Sequence, residues 1–328
     1  MQMRPFGADP VRVGEVGLGC WQIGGDQWGD VSDADALATL DAAVSVGTTF
    51  LDTADVYGSG RSEELVGRFR RECSTELFIA TKLGRFGKPG WPDNFTPATV
   101  RAHTEASRKR LGVDCLDLTQ LHCMPMEVLE RGEMFETLRA LKAEGKIRRF
   151  GASVESVAEA RECLKQEGLA SLQVIFNILR QTPALGLFDE AQAKGVAIIV
   201  RLPLTSGLLA GKMTAASTFA PTDHRSMNRN GEKFNVGETF GGLPFDKGLE
   251  LVENLRPYVP PGYSMAEFAL RWILDHPAVS VIIPGARNAD QARANAKPSE
   301  LPPLPAELHT QLRAFWMNEV KPHVRGPD

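Results

Sequence analysis

The sequence predicts a single domain over residues 1–328 with an α/β fold, a (β/α)₈ TIM barrel that carries long loops at its C-terminal face. Three observations support this fold: eight apolar segments of strand length, helix-length segments between them, and no dinucleotide-binding glycine fingerprint. Most of the apolar segments lack polar alternation, as expected of parallel strands covered on both faces. The segments are 15–18, 48–52, 77–81, 115–121, 149–152, 172–176, 196–201 and 279–283.

Helix boundaries are recognisable between these segments. Ser32 and Asp35 form a capping box at the start of one helix. Pro97 follows Thr96 at the first position of another helix, where its missing N–H costs nothing. Two further helices are predicted, one over about 127–142 and one that starts at Ser153 or Ser156. Parallel strands need such crossovers, and eight of them can close into a barrel.

A doubly wound open sheet is the rival fold. Such a sheet normally shows a Gly-x-Gly-x-x-Gly turn between its first strand and the following helix. Here Gly17-Leu18-Gly19-Cys20-Trp21 leads into Gly24-Gly25, and no helix is predicted for about eight more residues. The barrel is therefore the better prediction.

Two insertions and the C-terminus depart from the regular alternation. The insertions, 84–95 and 212–245, follow the third and seventh predicted strands and are rich in glycine, proline and aromatic residues. Both follow the C-terminal ends of strands, where barrel active sites lie, so we expect them to cover a substrate. The alternative is that they are tolerated surface insertions. The segment from about 316 to 328 is expected to be loosely held.

Composition excludes several classes of partner. A net charge of −4 argues against a nucleic-acid or anionic-membrane partner. The five cysteines form no Cys-x-x-Cys pair, which indicates a reducing compartment and no structural zinc site. No signal peptide and no run of 18 apolar residues is visible. We expect a cytoplasmic protein without a metal, and the sequence leaves monomer and homo-oligomer open.

Polar residues that could carry chemistry fall at the ends of the predicted strands. Asp52, Lys82 and His122 end the second, third and fourth strands, and Tyr57 lies on a glycine-containing turn shortly after Asp52. In a closed barrel these ends converge on one mouth. Asp52 and Lys82 alone could be a structural ion pair, but four ionisable groups converging at an apolar mouth indicate a functional site.

The combination of phenol, ammonium, carboxylate and imidazole favours carbonyl chemistry. A free tyrosine has a pKa near ~10, and a neighbouring lysine is expected to lower it towards that of a useful proton donor. The carboxylate would keep the lysine charged, and the histidine would orient a carbonyl oxygen. Carbonyl reduction with a hydride-carrying cofactor is the predicted reaction.

Several blocks of the sequence resemble the signatures of the aldo-keto reductase superfamily. They are the segments 50–58, with the sequence FLDTADVYG, 79–82, 121–122, 151–153, 203–212 and 283–287. The resemblance extends in the expected order from about residue 14 to 295. It implies an NAD(P)H-dependent enzyme in which Tyr57 donates the proton, Lys82 and Asp52 support it electrostatically, and His122 orients the carbonyl.

The resemblance also implies an extended cofactor across the barrel mouth. Ser153 and Gln173 match the residues that hold the nicotinamide carboxamide. An arginine at position 287 can pair with a 2′-phosphate, which favours NADPH over NADH, although NADH stays possible. The expected cofactor-binding residues are Trp21, Asp52, Ser153, Gln173, Arg201, Leu204, Ser206, Gly207, Lys212, Gly285, Arg287, Gln291 and Asn295.

Two positions depart from the family pattern. Val154 stands where asparagine is common, so part of the carboxamide contact is absent or replaced. Arg201 stands where many members have an aromatic residue; its charge would oppose the cationic oxidised ring and favour the reduced cofactor. Aromatic residues on the loops, Trp21, Trp28, Phe86 and Trp91, are expected to wall a pocket for a small carbonyl substrate.

Two other functions were weighed against carbonyl reduction. A cofactor-binding regulatory module, like the potassium-channel β subunits of this superfamily, would keep the barrel with little turnover; the complete set of four ionisable residues favours catalysis. A metal-dependent hydrolase would need clustered ligands, and the six histidines are scattered without a His-x-His pair.

Overall fold

Eight parallel strands form the barrel, as the sequence predicts. The structure, a computed structural model, describes residues 1–25, 27–29 and 31–327. In chain order the strands β3 to β10 are hydrogen-bonded neighbours in one parallel sheet. Their bounds are β3 Leu18–Gly19, β4 Phe50–Asp52, β5 Phe78–Leu83, β6 Leu118–His122, β7 Phe150–Ser153, β8 Leu169–Ile175, β9 Ala197–Arg201 and β10 Val279–Ile282.

The sheet closes between its first and last strands. Parallel bridges join Val16 to Ile282 and Gly19 to Gly285. The amide of Gly17 donates to the carbonyl of Ile282 at 2.8 Å. The first predicted strand, 15–18, therefore lies at the correct position in the barrel. Most of it forms only isolated bridges, and the regular strand is the short β3. Closure removes the open edges that a doubly wound sheet would have.

An N-terminal hairpin that the sequence analysis did not predict precedes the barrel. Its antiparallel strands are β1 Met3–Phe6 and β2 Asp9–Gly14. By sequence, Pro5 and Pro10 argue against a strand in both segments, because proline has no N–H to donate to a β ladder. Phe6 is buried against Phe50 and Phe78, with ring centroids 5.9 and 4.9 Å apart. The hairpin thus closes the N-terminal end of the barrel interior.

The helices begin and end close to the predicted capping residues. The Ser32 side chain accepts from the Asp35 amide, and Thr96 caps the helix that Gly112 ends in the left-handed conformation. The predicted helix over 127–142 is two helices, broken at Gly132. The helices are α1 Trp21–Gly24, α2 Asp33–Ser45, α3 Arg61–Glu72, α4 Pro97–Leu111, α5 Met126–Leu129, α6 Glu133–Ala143, α7 Val157–Cys163, α8 Leu187–Ala193, α9 His224–Met227, α10 Phe245–Leu255, α11 Met265–Leu274, α12 Ala289–Ala296 and α13 Ala306–Phe315.

The C-terminal segment is packed, so the expectation that it is loosely held from about residue 316 is wrong. Trp316 and Val320 are fully buried. The amide of Arg325 donates to the carbonyl of Gly242 at 3.2 Å, and the carbonyl of Pro327 accepts from Arg180 at 2.7 Å. Asp328, the last residue of that segment, lies outside the described residues. The apolar side chains of this segment bury against the barrel, which offsets the entropy of ordering it.

Among residues 1–25, 27–29 and 31–327, no helix has the length and apolar character needed to cross a lipid bilayer.

Candidate active site

Alternation along the strands decides which side chains point into the barrel. In β5, Ala80 belongs to the interior cluster, so Lys82, two residues further, lies on the same face. In β4, Asp52 lies two residues after interior Phe50, and in β6, His122 lies four residues after interior Leu118, so both side chains also point into the barrel. Three neighbouring strands therefore bring these side chains to the C-terminal mouth of the barrel.

The four predicted catalytic residues meet at this mouth. The ammonium nitrogen of Lys82 lies 2.5 Å from Oδ1 of Asp52 and 3.1 Å from the hydroxyl oxygen of Tyr57. It also donates to the carbonyl of Thr53 at 3.0 Å. The rings of Tyr57 and His122 have their centroids 6.0 Å apart in an edge-to-face arrangement. The lysine is thus bonded to the carboxylate and to the phenol at the same time.

A tight turn and an aromatic neighbour position Tyr57. The turn Tyr57–Gly60 follows β4, and Gly58 has a φ of 58°. A Cβ on Gly58 would lie 2.3 Å from the carbonyl oxygen of Gly24, so only glycine permits this approach. The ring of Trp21 stacks on the ring of Tyr57 at 5.8 Å with an interplanar angle of 18°. The sequence predicted Trp21 near the cofactor; in the structure it also supports the phenol.

Burial changes the direction in which the pKa of Tyr57 is shifted. Burial lowers the pKa of Lys82, but Asp52 and Tyr57 together outweigh burial and the pKa of Lys82 is raised, so the lysine stays charged. Burial raises the pKa of Tyr57, and Lys82 pulls in the opposite direction without overcoming it. The expected net lowering of the Tyr57 pKa is therefore wrong, because desolvation of the phenolate exceeds the attraction of the ammonium. At neutral pH the phenol carries its proton.

His122 is held as a neutral imidazole. Burial, together with the positive charges of Arg85 and Lys82, lowers the pKa of His122 well below its ordinary value. The ring lies at the cleft, and its buried Nδ1 has no hydrogen-bond partner among the described residues. A neutral imidazole can donate one hydrogen bond to a carbonyl oxygen.

One cleft of about 1190 Å³ joins the catalytic cluster to the surface. Tyr57, Asp52 and His122 line it, and Lys82 lies buried beneath them. Trp28 and Trp91 also line the cleft, as predicted, whereas Phe86 does not and instead packs under the guanidinium of Arg110. The cleft lining includes every residue predicted to bind the cofactor: Trp21, Asp52, Ser153, Gln173, Arg201, Leu204, Ser206, Gly207, Lys212, Gly285, Arg287, Gln291 and Asn295.

The sequence matches a family model over residues 15–317, and that model describes the Aldo/keto reductase family. The chain belongs to this family. Its members are oxidoreductases that use nicotinamide cofactors, so the protein is an enzyme of this class. The regulatory module that was weighed as an alternative is not favoured.

Similar proteins come from several bacteria. The uncharacterised oxidoreductase YqkF of Bacillus subtilis (strain 168) is 31% identical over 327 residues, and the alignment covers 98% of each chain. The NADH-specific methylglyoxal reductase of Escherichia coli (strain K12) is 28% identical over 312 residues, covering 90% of this chain and 92% of the relative. The glycerol dehydrogenase AKR11B4 from Gluconobacter oxydans has a TM-score of 0.80 and 28% identity, covering 99% of this chain and 98% of that one.

The cleft of this aldo-keto reductase has the chemistry that a nicotinamide dinucleotide needs. Cationic Lys212 and Arg287 border one end, where α12 begins after Asn288, and a helix N-terminus favours an anion. The loop after β9 has a left-handed residue at Ser206 and at Gly207, where the backbone turns along the cleft wall. At the catalytic end the Nε of Arg201 is buried without a partner among the described residues. The unpaired N–H of Arg201 and the positive charges of Lys212 and Arg287 are groups that could bind the polar and anionic parts of the cofactor.

Gln173 and Asp52 are connected below the cleft. The side-chain amide of Gln173 donates to Oδ2 of Asp52 at 2.8 Å, and Gln120 donates to the same oxygen at 3.4 Å. The Asp52 carboxylate is therefore bonded through both oxygens, one to the lysine and one to amides. Ser153 lies across from Cys123, with 4.0 Å between Oγ and Sγ. Of the two residues predicted to hold the carboxamide, Gln173 is thus bonded to the Asp52 carboxylate, and Ser153 lies beside Cys123.

Arg201 forms an ion pair with Glu238, and this pair changes the expected effect of the arginine charge on the nicotinamide ring. Its guanidinium lies 2.5 Å from the carboxylate of Glu238 and donates to the carbonyl of Val154 at 3.0 Å. Both side chains are 10% exposed. The positive charge that was expected to oppose an oxidised nicotinamide ring is therefore offset by Glu238. The backbone of Val154, where the family commonly has asparagine, serves to hold this arginine.

Sequence reasoning missed six charged residues that line the cleft: Arg85, Glu155, Arg225, Glu232, Lys233 and Glu238. Arg85 and Glu155 each follow a strand end by two residues, a position that could have identified them as mouth residues. Glu238 lies within the 212–245 insertion, which shows no periodic pattern, and no sequence signal points to it. The C-terminal residues Gly326 and Pro327 also line the cleft.

Proposed function

We propose that this aldo-keto reductase reduces small aldehydes or ketones to alcohols with NADPH, and that Tyr57 donates the proton. The observation that supports this function is the position of the Lys82 ammonium, within hydrogen-bond distance of both Asp52 and Tyr57 at the mouth of the cleft. A phenol that is protonated at neutral pH, beside a neutral imidazole, suits a carbonyl that accepts hydride.

Each side chain has a distinct part in this reaction. The bound nicotinamide cofactor supplies the hydride to the carbonyl carbon. Tyr57 passes its hydroxyl proton to the carbonyl oxygen, so that the product is the alcohol and the tyrosine is left as phenolate. Lys82 stabilises that phenolate as it forms, and Asp52 keeps the lysine charged. His122 donates a hydrogen bond that orients the carbonyl oxygen. Solvent returns the proton to Tyr57 after product release.

The residues that line the cleft would hold the nicotinamide cofactor. Ser153 and Gln173 would hold the carboxamide, with Arg201 and Trp21 next to the nicotinamide. Leu204, Ser206, Gly207, Lys212 and Gly285 would hold the pyrophosphate. Arg287, Gln291 and Asn295 would hold the adenosine; Asn295 is itself fixed by a 3.1 Å bond to the carbonyl of Gly285.

The preference for NADPH rests on the exposed guanidinium of Arg287, which is free to pair with a 2′-phosphate. NADH stays a possible second cofactor, since the methylglyoxal reductase relative is named as NADH-specific. We further propose a cytoplasmic location with a small carbonyl compound as the partner. All five cysteines are free thiols, which supports a reducing compartment.

A carbonyl panel with NADPH and with NADH tests this function in the wild type and in Tyr57→Phe. We expect the wild type to oxidise NADPH with aldehydes at a higher kcat/KM than NADH. In Tyr57→Phe we expect kcat to fall by about 10²–10⁴-fold, because the proton donor is gone while cofactor binding is kept. The Kd for NADPH, followed by fluorescence quenching, serves as the control. Equal rates in the two proteins would contradict the role of Tyr57.

A further inference from the structure

A charged pair that the proposed reaction does not use lies beside His122. Arg85 follows β5 and Glu155 follows β7, and the two side chains meet over the end of β6 with 3.1 Å between Nη2 and Oε1. Nε of Arg85 also donates to the backbone carbonyl of His122 at 3.3 Å. The pair is therefore fixed against the residue that orients the carbonyl, and both of its members line the cleft.

An aromatic side chain stands next to this pair with one face open. Trp91, in the 84–95 insertion, is 50% exposed and lines the cleft. Its indole N–H donates to the carbonyl of Cys123 at 2.8 Å, and the guanidinium of Arg85 lies 5.8 Å from its ring centre. A large apolar side chain that is fixed by a hydrogen bond and left open to a cleft is suited to pack against a ligand.

The two positive and two negative side chains in and next to the Arg85–Glu155 pair have no net charge. Arg85 and Glu155 lie next to the second pair, Arg201 and Glu238, and the carboxylates of Glu155 and Glu238 come within 4.8 Å of each other and of Cys123 Sγ. Each carboxylate is already bonded to a guanidinium, so the cluster does not favour a metal ion. Two positive and two negative groups also give no net attraction for a substrate carboxylate or phosphate.

The same groups have hydrogen-bonding capacity left over. A guanidinium has five N–H donors, and Arg85 uses two of them in the bonds to His122 and Glu155. Glu155 accepts from Arg85 through one oxygen, and its side chain is 15% exposed. A donor and an acceptor side by side match a hydroxyl group, which both accepts and donates. An adjacent aromatic face packs well on the C–H groups between hydroxyls.

We propose that Arg85, Glu155 and Trp91 form a subsite for the hydroxyl groups of the substrate, so that the preferred carbonyl compounds are short, uncharged and hydroxylated, like the simplest sugars. This inference rests on the proposed carbonyl reduction and specifies its substrate class. The carbonyl group lies at Tyr57 and His122, and the neighbouring hydroxyls bind the charged pair with their carbon chain against Trp91.

Glyceraldehyde and propanal test the subsite, because both have three carbons and they differ only in two hydroxyl groups. The kcat/KM of each is measured with NADPH for the wild type, Arg85→Met and Glu155→Met. We expect the wild type to prefer glyceraldehyde by about 100-fold or more, and each variant to reduce that ratio by about 30-fold, mostly through KM. Arg161→Met is the control, since it breaks an ion pair with Glu190 on the exposed surface, and its ratio should match the wild type.

The outcomes separate the subsite from the reaction. A ratio unchanged in both variants, or a wild type that does not discriminate, overturns the subsite while leaving the carbonyl reduction intact. An equal loss with both aldehydes also overturns it, because that result shows a structural role through His122. If Arg85→Met does not fold, the ratio in Glu155→Met decides. Absence of turnover of either aldehyde by the wild type would instead contradict the proposed function itself.

Discussion

Each buried charge at the barrel mouth depends on one partner. Lys82 is 1% exposed, and its only carboxylate partner among the described residues is Asp52. Removing one member of such a pair leaves an uncompensated buried charge and typically costs about 3–5 kcal/mol. If Asp52 supports the reaction as proposed, a variant at this position changes both the activity and the stability of the barrel.

Glu238 provides a residue-scale prediction about the redox state of the cofactor. The nicotinamide ring is neutral when reduced and positively charged when oxidised, and we place it beside Arg201. In Glu238→Gln the guanidinium loses its counter-charge, so the oxidised ring is repelled more strongly. We expect the ratio of Kd for NADP⁺ to Kd for NADPH to rise by roughly tenfold, about 1.4 kcal/mol. Fluorescence titration of both cofactors measures the ratio.

The double variant Arg201→Met/Glu238→Gln is the control for that titration. It removes both charges and keeps the number of long side chains at the site, so its ratio should return close to that of the wild type. A ratio that stays raised in the double variant would show that Glu238 acts on the fold of the insertion and not through the charge of Arg201.

At the scale of elements, the 212–245 insertion is attached to the loop after β3. The amide of His224 donates to the carbonyl of Gln27 at 3.1 Å. The ring of His224 packs on Trp28 and Trp21, with centroids 4.5 and 4.9 Å apart, and the guanidinium of Arg225 lies 4.8 Å from the Trp28 ring. These contacts connect two loops that both line the cleft.

Trp28→Ala should loosen the insertion without unfolding the barrel. Trp28 is 7% exposed, and its loss removes the aromatic contact of His224 and the cation–π contact of Arg225. We expect faster limited proteolysis within 212–245 and a several-fold higher dissociation rate of NADPH. Trp91→Ala, on the other insertion, is the control and should leave proteolysis of 212–245 unchanged. Equal protease sensitivity of Trp28→Ala and the wild type would rule out this attachment.

The barrel strands and the convergence of Asp52, Tyr57, Lys82 and His122 could be predicted because both follow from local pattern. Continuous apolar segments mark the strands, and a residue such as Lys82 at a strand end must lie at the mouth of a closed barrel. The strand limits differ from the predicted ones by up to three residues, because pairing with neighbours and not the apolar pattern decides where a ladder ends.

The remaining features depend on contacts between distant parts of the chain. Glu238 reaches Arg201 across 37 residues, and no periodicity or spacing in the insertion marks that pair. The packed C-terminal segment has the same origin, since Arg325 bonds Gly242 some 83 residues away. The pKa of Tyr57 was mispredicted for a related reason: the sequence identifies a neighbouring lysine but not the extent of burial that opposes it.

At the scale of the whole molecule, His276 and His224 join His122 in making the fold sensitive to mild acid. Burial, together with the nearby His309, lowers the pKa of His276 to about 4. His276 packs on Trp272 and Phe176, with ring centroids 4.7 and 4.9 Å apart. Burial likewise lowers the pKa of His224 to about 4. Both are neutral in the folded protein at pH values where a histidine in the unfolded chain is already protonated.

The free energy of unfolding should therefore fall as the pH decreases from about 6.5 towards 4. A histidine with a depressed folded pKa contributes its full stability above the unfolded pKa, and loses it as the unfolded chain takes up the proton. His276 and His224 each account for about 3 kcal/mol of this loss. Urea denaturation at pH 7, 6 and 5 measures the slope, which should be shallower in His276→Gln and unchanged in the control His323→Gln, whose histidine is exposed. The same slope in His276→Gln as in the wild type would mean that His276 titrates normally in the folded protein.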